Sequence, residues 1–307
     1  FHNNPLNLGG SKTVEERNVL VNKCEKLIFV SNWVREKFFE GLDRRNNSNC
    51  IVIYPGIGTL KKLPVKKNII SFVGKLNRSK GFHLFGDVIV KILNKYKNWK
   101  GIVVGDEPRE KYNFKHKNLK YVGWISHEKT LKLYNLTSIS VAPSFWEEPF
   151  GRTSMEAASR GCATIISKKG GLIETIPNAL YLVNLTAKDL FNKIEYLIKN
   201  KKERKNLQKK SYQNVLHKLE TNSKKIDTYR DEILNTISFP TIRKNNYKII
   251  HISNFGNRLF NRLYFISIAK KISNALIRLG HDVLNISDRD TIRFNRNISA
   301  KSGIDYL

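Results

Sequence analysis

The residues best equipped for chemistry in this chain are two carboxylates, Glu148 and Glu156, with seven residues between them. They lie in the stretch Pro143-Ser144-Phe145-Trp146-Glu147-Glu148-Pro149-Phe150-Gly151-Arg152-Thr153-Ser154-Met155-Glu156-Ala157-Ala158-Ser159-Arg160-Gly161. Pro, Gly, Arg, Thr and Ser packed between two acids are costly to explain as core. Ile139-Ser140-Val141-Ala142 just upstream reads as a short buried strand, and Arg152 to Arg160 reads as a helix closed by Gly161. A strand, a glycine-containing loop and a helix N-terminus together make an anion site, because unpaired N–H groups and the positive end of the helix dipole converge there. Phosphate is the expected guest. Duller readings stand beside this one. Glu147 could be the paired carboxylate, although only Glu148 has the matching spacing. Glu156 could form a surface ion pair with Arg152 or Arg160, worth only ~0.3–0.5 kcal/mol.

The elements around these residues alternate between strand and helix, which predicts a parallel sheet. Phe1-His2-Asn3-Asn4-Pro5 has the look of a strand end entering a turn. It is followed by a helix over about Thr13–Cys24, strand 26–30, a Ser31-capped helix to Phe39 and strand 50–53. Residues 1–56 thus read as the C-terminal part of a nucleotide-fold domain, and 57–64 as a hinge. A full doubly wound domain is expected over 65–220. It starts with strand Ile69-Ile70-Ser71-Phe72-Val73, the loop Gly74-Lys75-Leu76-Asn77-Arg78-Ser79-Lys80-Gly81 and a helix with Phe82, Phe85, Ile89, Ile92 and Tyr96 on one face. Further strands are expected at 101–104, 119–122, 138–142, 163–166 and 180–183. A terminal helix and linker are expected over 221–246, the helix stopped by Phe239-Pro240. Residues 247–307 read as the β-α-β start of a further domain, with strand 248–253, Asn254-Phe255-Gly256-Asn257, a helix carrying Phe265, Ala269, Ile272, Leu276 and Leu279, and strand 282–286. The expectation is a window from a longer, tandem polypeptide.

Composition narrows the class. The 307 residues, 40% hydrophobic and 10% aromatic, suit a globular chain of more than one domain. A formal charge of +29, from 55 Lys+Arg against 26 Asp+Glu, points to polyanions: phosphorylated donors, anionic lipid headgroups or nucleic acid. The competing explanation is compositional bias toward lysine, under which Lys75 and Lys80 are ordinary surface residues. Cys24, Cys50 and Cys162 form no C-x-x-C pair, which argues for a reducing compartment and against a zinc or disulfide framework. No apolar run reaches the ~18 residues that cross a bilayer. A cytoplasmic protein is expected, with a basic surface compatible with the inner membrane face. His83, His116, His127, His217, His251 and His281 show no metal-ligand spacing and read as surface or core residues.

At this point the residues resemble a known family. Phe72-Val73-Gly74-Lys75-Leu76 with Lys80-Gly81, Pro143-Ser144 through Glu156-Ala157, and Gly170-Gly171-Leu172-Ile173-Glu174 are similar to the donor-domain signatures of family-4 retaining glycosyltransferases of the GT-B fold, the bacterial group 1 glycosyl transferases. The resemblance implies an α/β fold with a Rossmann-like donor domain, a truncated Rossmann-like domain before it and the start of another after it. It implies transfer of a hexosyl group from a nucleotide-diphospho-sugar, UDP- or GDP-linked, to a sugar, lipid or polysaccharide acceptor in envelope synthesis, with retention at the anomeric carbon. Lys75 and Lys80 match the basic pair on the diphosphate, although the family more often has arginine at the first. Glu148 matches the carboxylate beside the donor sugar and Glu156 the one that holds the ribose hydroxyls. Gly74, Phe150, Gly151, Arg152 and Thr153 match donor-binding positions. His2 sits where the family offers a histidine to the reaction centre. No metal or other cofactor is expected, because lysines and a helix N-terminus take the metal's place. Two rivals differ in class: a degenerate domain that binds nucleotide sugar without turnover, and a nucleic-acid module, which lacks any recognition motif beyond charge.

Overall fold

Local capping chemistry sets the first elements. In the computed structural model, which describes residues 1–42, 48–58, 60–214, 219–236, 246–253, 255 and 268–287, helix α1 (Val14–Lys23) starts at a reciprocal capping box. Thr13 Oγ1 accepts from Glu16 N at 3.2 Å, and Glu16 Oε2 accepts from Thr13 N at 3.1 Å. Strand β1 (Leu27–Phe29), helix α2 (Asn32–Phe39), capped by Ser31, and strand β2 (Cys50–Val52) follow, with β2 parallel to β1. The backbone of Phe1 runs beside β1, accepting from Val30 N at 3.1 Å. Phe29, Val34 and Phe38 are fully buried here, and Phe150 and Met155 from far along the chain complete the same cluster.

The main sheet has six parallel strands: β3 (Lys67–Val73), β4 (Lys100–Val104), β5 (Leu119–Gly123), β6 (Thr137–Ala142), β7 (Ala163–Ser167) and β8 (Leu180–Leu182). Their order is β5-β4-β3-β6-β7-β8, so the chain winds outward from β3 on one side and returns to wind from β6 on the other. In such a sheet ligands bind outside the carboxyl ends of the two strands where the order reverses, here β3 and β6. Strand β7 is buried along its whole length, as a strand covered on both faces must be. Helix α3 (Phe82–Lys95) buries Phe82, Phe85, Ile89 and Ile92 against the sheet, and Tyr96 just beyond it donates its hydroxyl to Glu195 Oε1 at 2.7 Å. Helices α4 (His127–Leu136) and α5 (Arg152–Ser159) flank β6, and α6 (Ala187–Lys199), α7 (Lys201–Gln213) and α8 (Leu219–Thr236) complete this unit. Helix α8 returns to the first segment, where Asn222 Nδ2 donates to Tyr54 O at 2.6 Å and Lys26 Nζ stands 5.2 Å over the Tyr229 ring.

Two units divide the chain, Phe1–Leu234 and Asn235–Leu307, the first spanning residues on both sides of the expected 57–64 hinge. In the second, β9 (Lys248–Ser253), α9 (Ile268–Arg278) and β10 (Asp282–Ser287) form a β-α-β unit, with the strands parallel and Lys248 opposite Asp282. The face expected on α9 needs correction: Ala269 and Ser273 are buried, while Ile272 and Leu279 are 45% and 47% exposed. Two strands are too narrow to cover the wider stripe. Phe239-Pro240, Asn254, Gly256-Asn257, Phe265 and everything after 287 lie outside the described residues. Among the described residues no helix is long and apolar enough to cross a membrane.

Candidate active site

The site grows from the two loops that leave β3 and β6. Asn77 organises the first: its Oδ1 accepts from Lys80 N at 3.0 Å and from Ser79 Oγ at 2.9 Å, a local turn that competes with continuing the chain as helix. Behind it, the buried Glu107 takes two bonds from the Arg109 guanidinium, at 2.6 and 2.8 Å, one from Arg109 N at 3.4 Å and one from Asn77 Nδ2 at 3.4 Å. The Arg109 hydrogen bonds hold the Glu107 carboxyl down at about 2. Ser79 O accepts from both Phe145 N and Trp146 N, at 2.8 and 2.9 Å, lacing the first loop to the second. Gly81 makes this approach possible. It sits at φ +73°, and a Cβ there would lie 2.0 Å from Pro143 O.

The lacing brings together side chains distant in sequence. Lys80 Nζ lies 2.5 Å from Glu148 Oε1, and Ser144 Oγ reaches the same oxygen at 2.9 Å. Lys80 and Glu148 keep 31% and 13% of their side-chain surface exposed, so the pair faces a cavity and stays open to exchange. The backbone of Glu148 is fixed from the other side, where Gly171 N donates to Glu148 O at 2.7 Å and Gly170, at φ +58°, leaves no room for a Cβ. Helix α5 begins at Gly151 without a side-chain cap, so its first turn presents N–H groups and positive dipole at the cavity wall. Gly74, Lys80, Ser144, Glu148, Arg152 and Thr153 line this cavity at the carboxyl ends of β3 and β6. An anion entering it would meet one ammonium and a helix N-terminus.

Glu156 lies one turn further along α5 with only 6% of its side chain exposed. Burial pushes its carboxyl above the ordinary range, opposed by His127, Arg152 and Arg160. His127 Nε2 is 3.1 Å from Glu156 Oε1 and Arg152 Nη2 is 3.6 Å away, so the ion pair weighed from helical spacing is present but long. Three other expected residues stand apart. Lys75 is exposed, with no hydrogen bond or ion pair among the described residues. The Phe150 side chain is 4% exposed and packs its ring 5.8 Å from that of Tyr54. His2 is within electrostatic reach of Arg152: partial burial, then the Phe1 amino group and Arg152, hold its imidazole below the usual value.

Sequence reasoning passed over Ser144, His127 and Glu174. Glu174 ends the quoted Gly170-Gly171-Leu172-Ile173-Glu174 run, and its carboxylate crowns the start of α2. It accepts from Asn32 N and Trp33 N, both at 2.8 Å, from Asn32 Nδ2 at 3.0 Å and from the Tyr54 hydroxyl at 2.9 Å. Burial, then the Glu174 bond, pushes the Tyr54 phenol up to about 12. Ser31 Oγ donates to Pro149 O at 2.5 Å, so the 1–56 segment is fastened to the very loops that carry the site. The only available signal was a carboxylate at the end of a glycine motif, which does not say what it caps. Among the described residues no group of three His, Cys, Asp or Glu could hold a metal ion.

Comparison with known proteins gives the same region. The family model described as Glycosyl transferases group 1 matches residues 60–214. The chain is 30% identical over 118 residues to an uncharacterised glycosyltransferase of Methanocaldococcus jannaschii, covering 36% of this chain and 30% of that protein. It is 28% identical over 160 residues to the phosphatidylinositol N-acetylglucosaminyltransferase GPI3 subunit of Saccharomyces cerevisiae, covering 48% and 35%. The matches thus span about a third of those curated relatives. Among solved structures, Anabaena HepE in complex with UDP-glucose superposes with a TM-score of 0.63 at 16% identity, covering 75% of this chain and 71% of that one, which establishes the shared α/β fold of GT-B type.

Proposed function

We propose that this chain, which belongs to the glycosyl transferases group 1 family, binds a nucleotide-diphospho-sugar at the carboxyl ends of β3 and β6 and transfers the sugar with retention of configuration. One observation carries the reading: Lys80, Glu148 and the uncapped start of α5 converge on one cavity at the point where the strand order reverses. Lys80 and the α5 N–H groups neutralise the departing nucleoside diphosphate, whose developing charge is what such a site must stabilise. When phosphate claims Lys80, Glu148 is released from its ion pair and turns to the sugar hydroxyls. Glu156 takes the ribose, and His2 lies toward the reaction centre. As the anomeric carbon–phosphate oxygen bond breaks, the acceptor hydroxyl oxygen bonds that carbon on the same face and its proton passes to the departing diphosphate, a step that asks for positioning and a dry cleft rather than covalent help. UDP is the favoured base carrier, on the ground that the fold neighbour HepE holds UDP-glucose. A sugar or lipid-linked acceptor completes the reaction. The charge of +29 and three free thiols support a cytoplasmic protein resting against an anionic membrane face.

The test offers UDP-glucose, UDP-N-acetylglucosamine and GDP-mannose to the chain with sugar and lipid acceptors and reads the product anomer by NMR. A product with the donor's configuration is expected; the opposite anomer would overturn retention. Donor binding without any product would favour the binding-only rival.

A further inference from the structure

We propose that His127 is a positioning residue for the nucleotide: its Nε2 bond orients the Glu156 carboxylate for the ribose hydroxyls. The inference rests on the reading of Glu156 as the group that receives the ribose.

Glu156 sits mid-helix with 6% of its side chain exposed, where an unpartnered charge is expensive. Four ionisable groups face it. Arg152 and Arg160 belong to α5 and the residue closing it, and Tyr134 and His127 belong to α4. Arg152 is 66% exposed and stops 3.6 Å away, beyond a good hydrogen bond, and Tyr134 gains no charge that could help an anion. His127 is the group within hydrogen-bonding distance, at 3.1 Å. Its place is fixed by the start of α4, where Ser126 Oγ accepts from Lys129 N and Ser126 O accepts from Thr130 N. The imidazole itself is 54% exposed, so it reaches solvent while gripping a buried oxygen. It occupies Oε1, and among the described residues no hydrogen bond reaches Oε2, the oxygen left for a ligand hydroxyl.

The pH sign follows from the two groups. Burial favours the protonated acid, and His127, Arg152 and Arg160 oppose it. That opposition lets nucleotide binding persist as pH falls until Glu156 protonates. Without the imidazole, burial meets less opposition, and binding is lost at a higher pH.

The experiment measures UDP affinity by calorimetry from pH 5 to 8 for the wild-type chain, His127→Ala, His127→Gln and Glu156→Gln, with pyrophosphate as the ribose-free control. His127→Ala is expected to weaken UDP at neutral pH by about tenfold, the loss of one hydrogen bond to a charged group. His127→Gln restores neutral-pH affinity but loses UDP at a higher pH than wild type, a split that a packing role would not produce. Pyrophosphate affinity stays the same in both. Binding abolished by Glu156→Gln yet indifferent to His127→Ala, with an unmoved acid limb in both His127 variants, overturns this assignment alone. A wild-type chain that binds no UDP, or a Glu156→Gln variant that binds as well as wild type, overturns the donor reading and the assignment with it.

Discussion

Glu148 and Glu156 belong to one short motif, yet the two regions that hold them differ in kind. Glu148 stands on a loop at the cavity wall, and its counter-ion, Lys80, comes from the other loop of the same cavity. Glu156 is enclosed in a helix, and its nearest partner is an imidazole on the neighbouring helix. The first arrangement exchanges partners easily, because both members face the space that a ligand would fill. The second is enclosed before any ligand arrives: the carboxylate is already desolvated, and an imidazole contacts one of its oxygens. On the proposed reading the bond that breaks lies at the sugar–diphosphate end of the donor while the nucleoside end only has to be held, so an exchangeable pair at one end and a fixed one at the other would suit it.

The backbone gives the sharpest way to break that contrast. Gly81→Ala forces a Cβ to within 2.0 Å of a carbonyl oxygen at φ +73°, and neither the oxygen nor the chain can yield cheaply. The expected loss is more than about 2 kcal/mol, read as a lowered midpoint in thermal or urea unfolding. Gly151→Ala, at φ +98°, clashes with the end of the Leu172 side chain, at 2.3 Å, rather than with backbone, and is expected to cost about 1–2 kcal/mol. Equal losses at the two glycines would erase the distinction between a loop junction that is tightly laced and a helix start that can adjust.

Lys80→Ala should weaken UDP by about ten- to hundredfold while leaving the fold intact, since it would remove the proposed charged hydrogen bond to phosphate from a partly exposed position. Lys75→Ala, at an exposed position without a partner among the described residues, separates the two lysines of the motif: a loss as large as that of Lys80→Ala would mean that ligand binding draws Lys75 into the site. The smallest effect is expected at Glu174→Gln, which keeps the shape but removes the charge at the start of α2. About 0.3–1 kcal/mol of local stability should disappear, seen as faster hydrogen exchange at the Asn32 and Trp33 amides with UDP affinity unchanged.

Much of this arrangement can be read from local pattern. Helix α5, with Gly161 at φ +74° beyond its end, and the six strands of the main sheet fall within one or two residues of their expected places, because caps, glycine and apolar runs act locally. Contacts made only by packing were not legible. No spacing joins His127 to Glu156, 29 residues away, since that bond exists only because α4 lies against α5. The pairing of Lys80 with Glu148 likewise depends on a laced junction whose key atom is a missing Cβ. Phe150 shows a different limit: its motif position points to the donor, while its side chain fills the core under Tyr54. On α9 the apolar periodicity was visible, but how much of it is covered depends on neighbours that periodicity does not specify.

The central claim is that a nucleoside diphosphate binds between the Lys80 loop and the start of α5. Calorimetric titration of the chain with UDP and GDP, repeated on Lys80→Ala and Glu156→Ala, tests it most directly. Saturable binding of UDP, in the micromolar to sub-millimolar range typical of enzyme substrates at roughly 1 μM–1 mM, is expected, together with its loss in both variants. UDP binding that persists unchanged in both would place the nucleotide elsewhere and contradict the account.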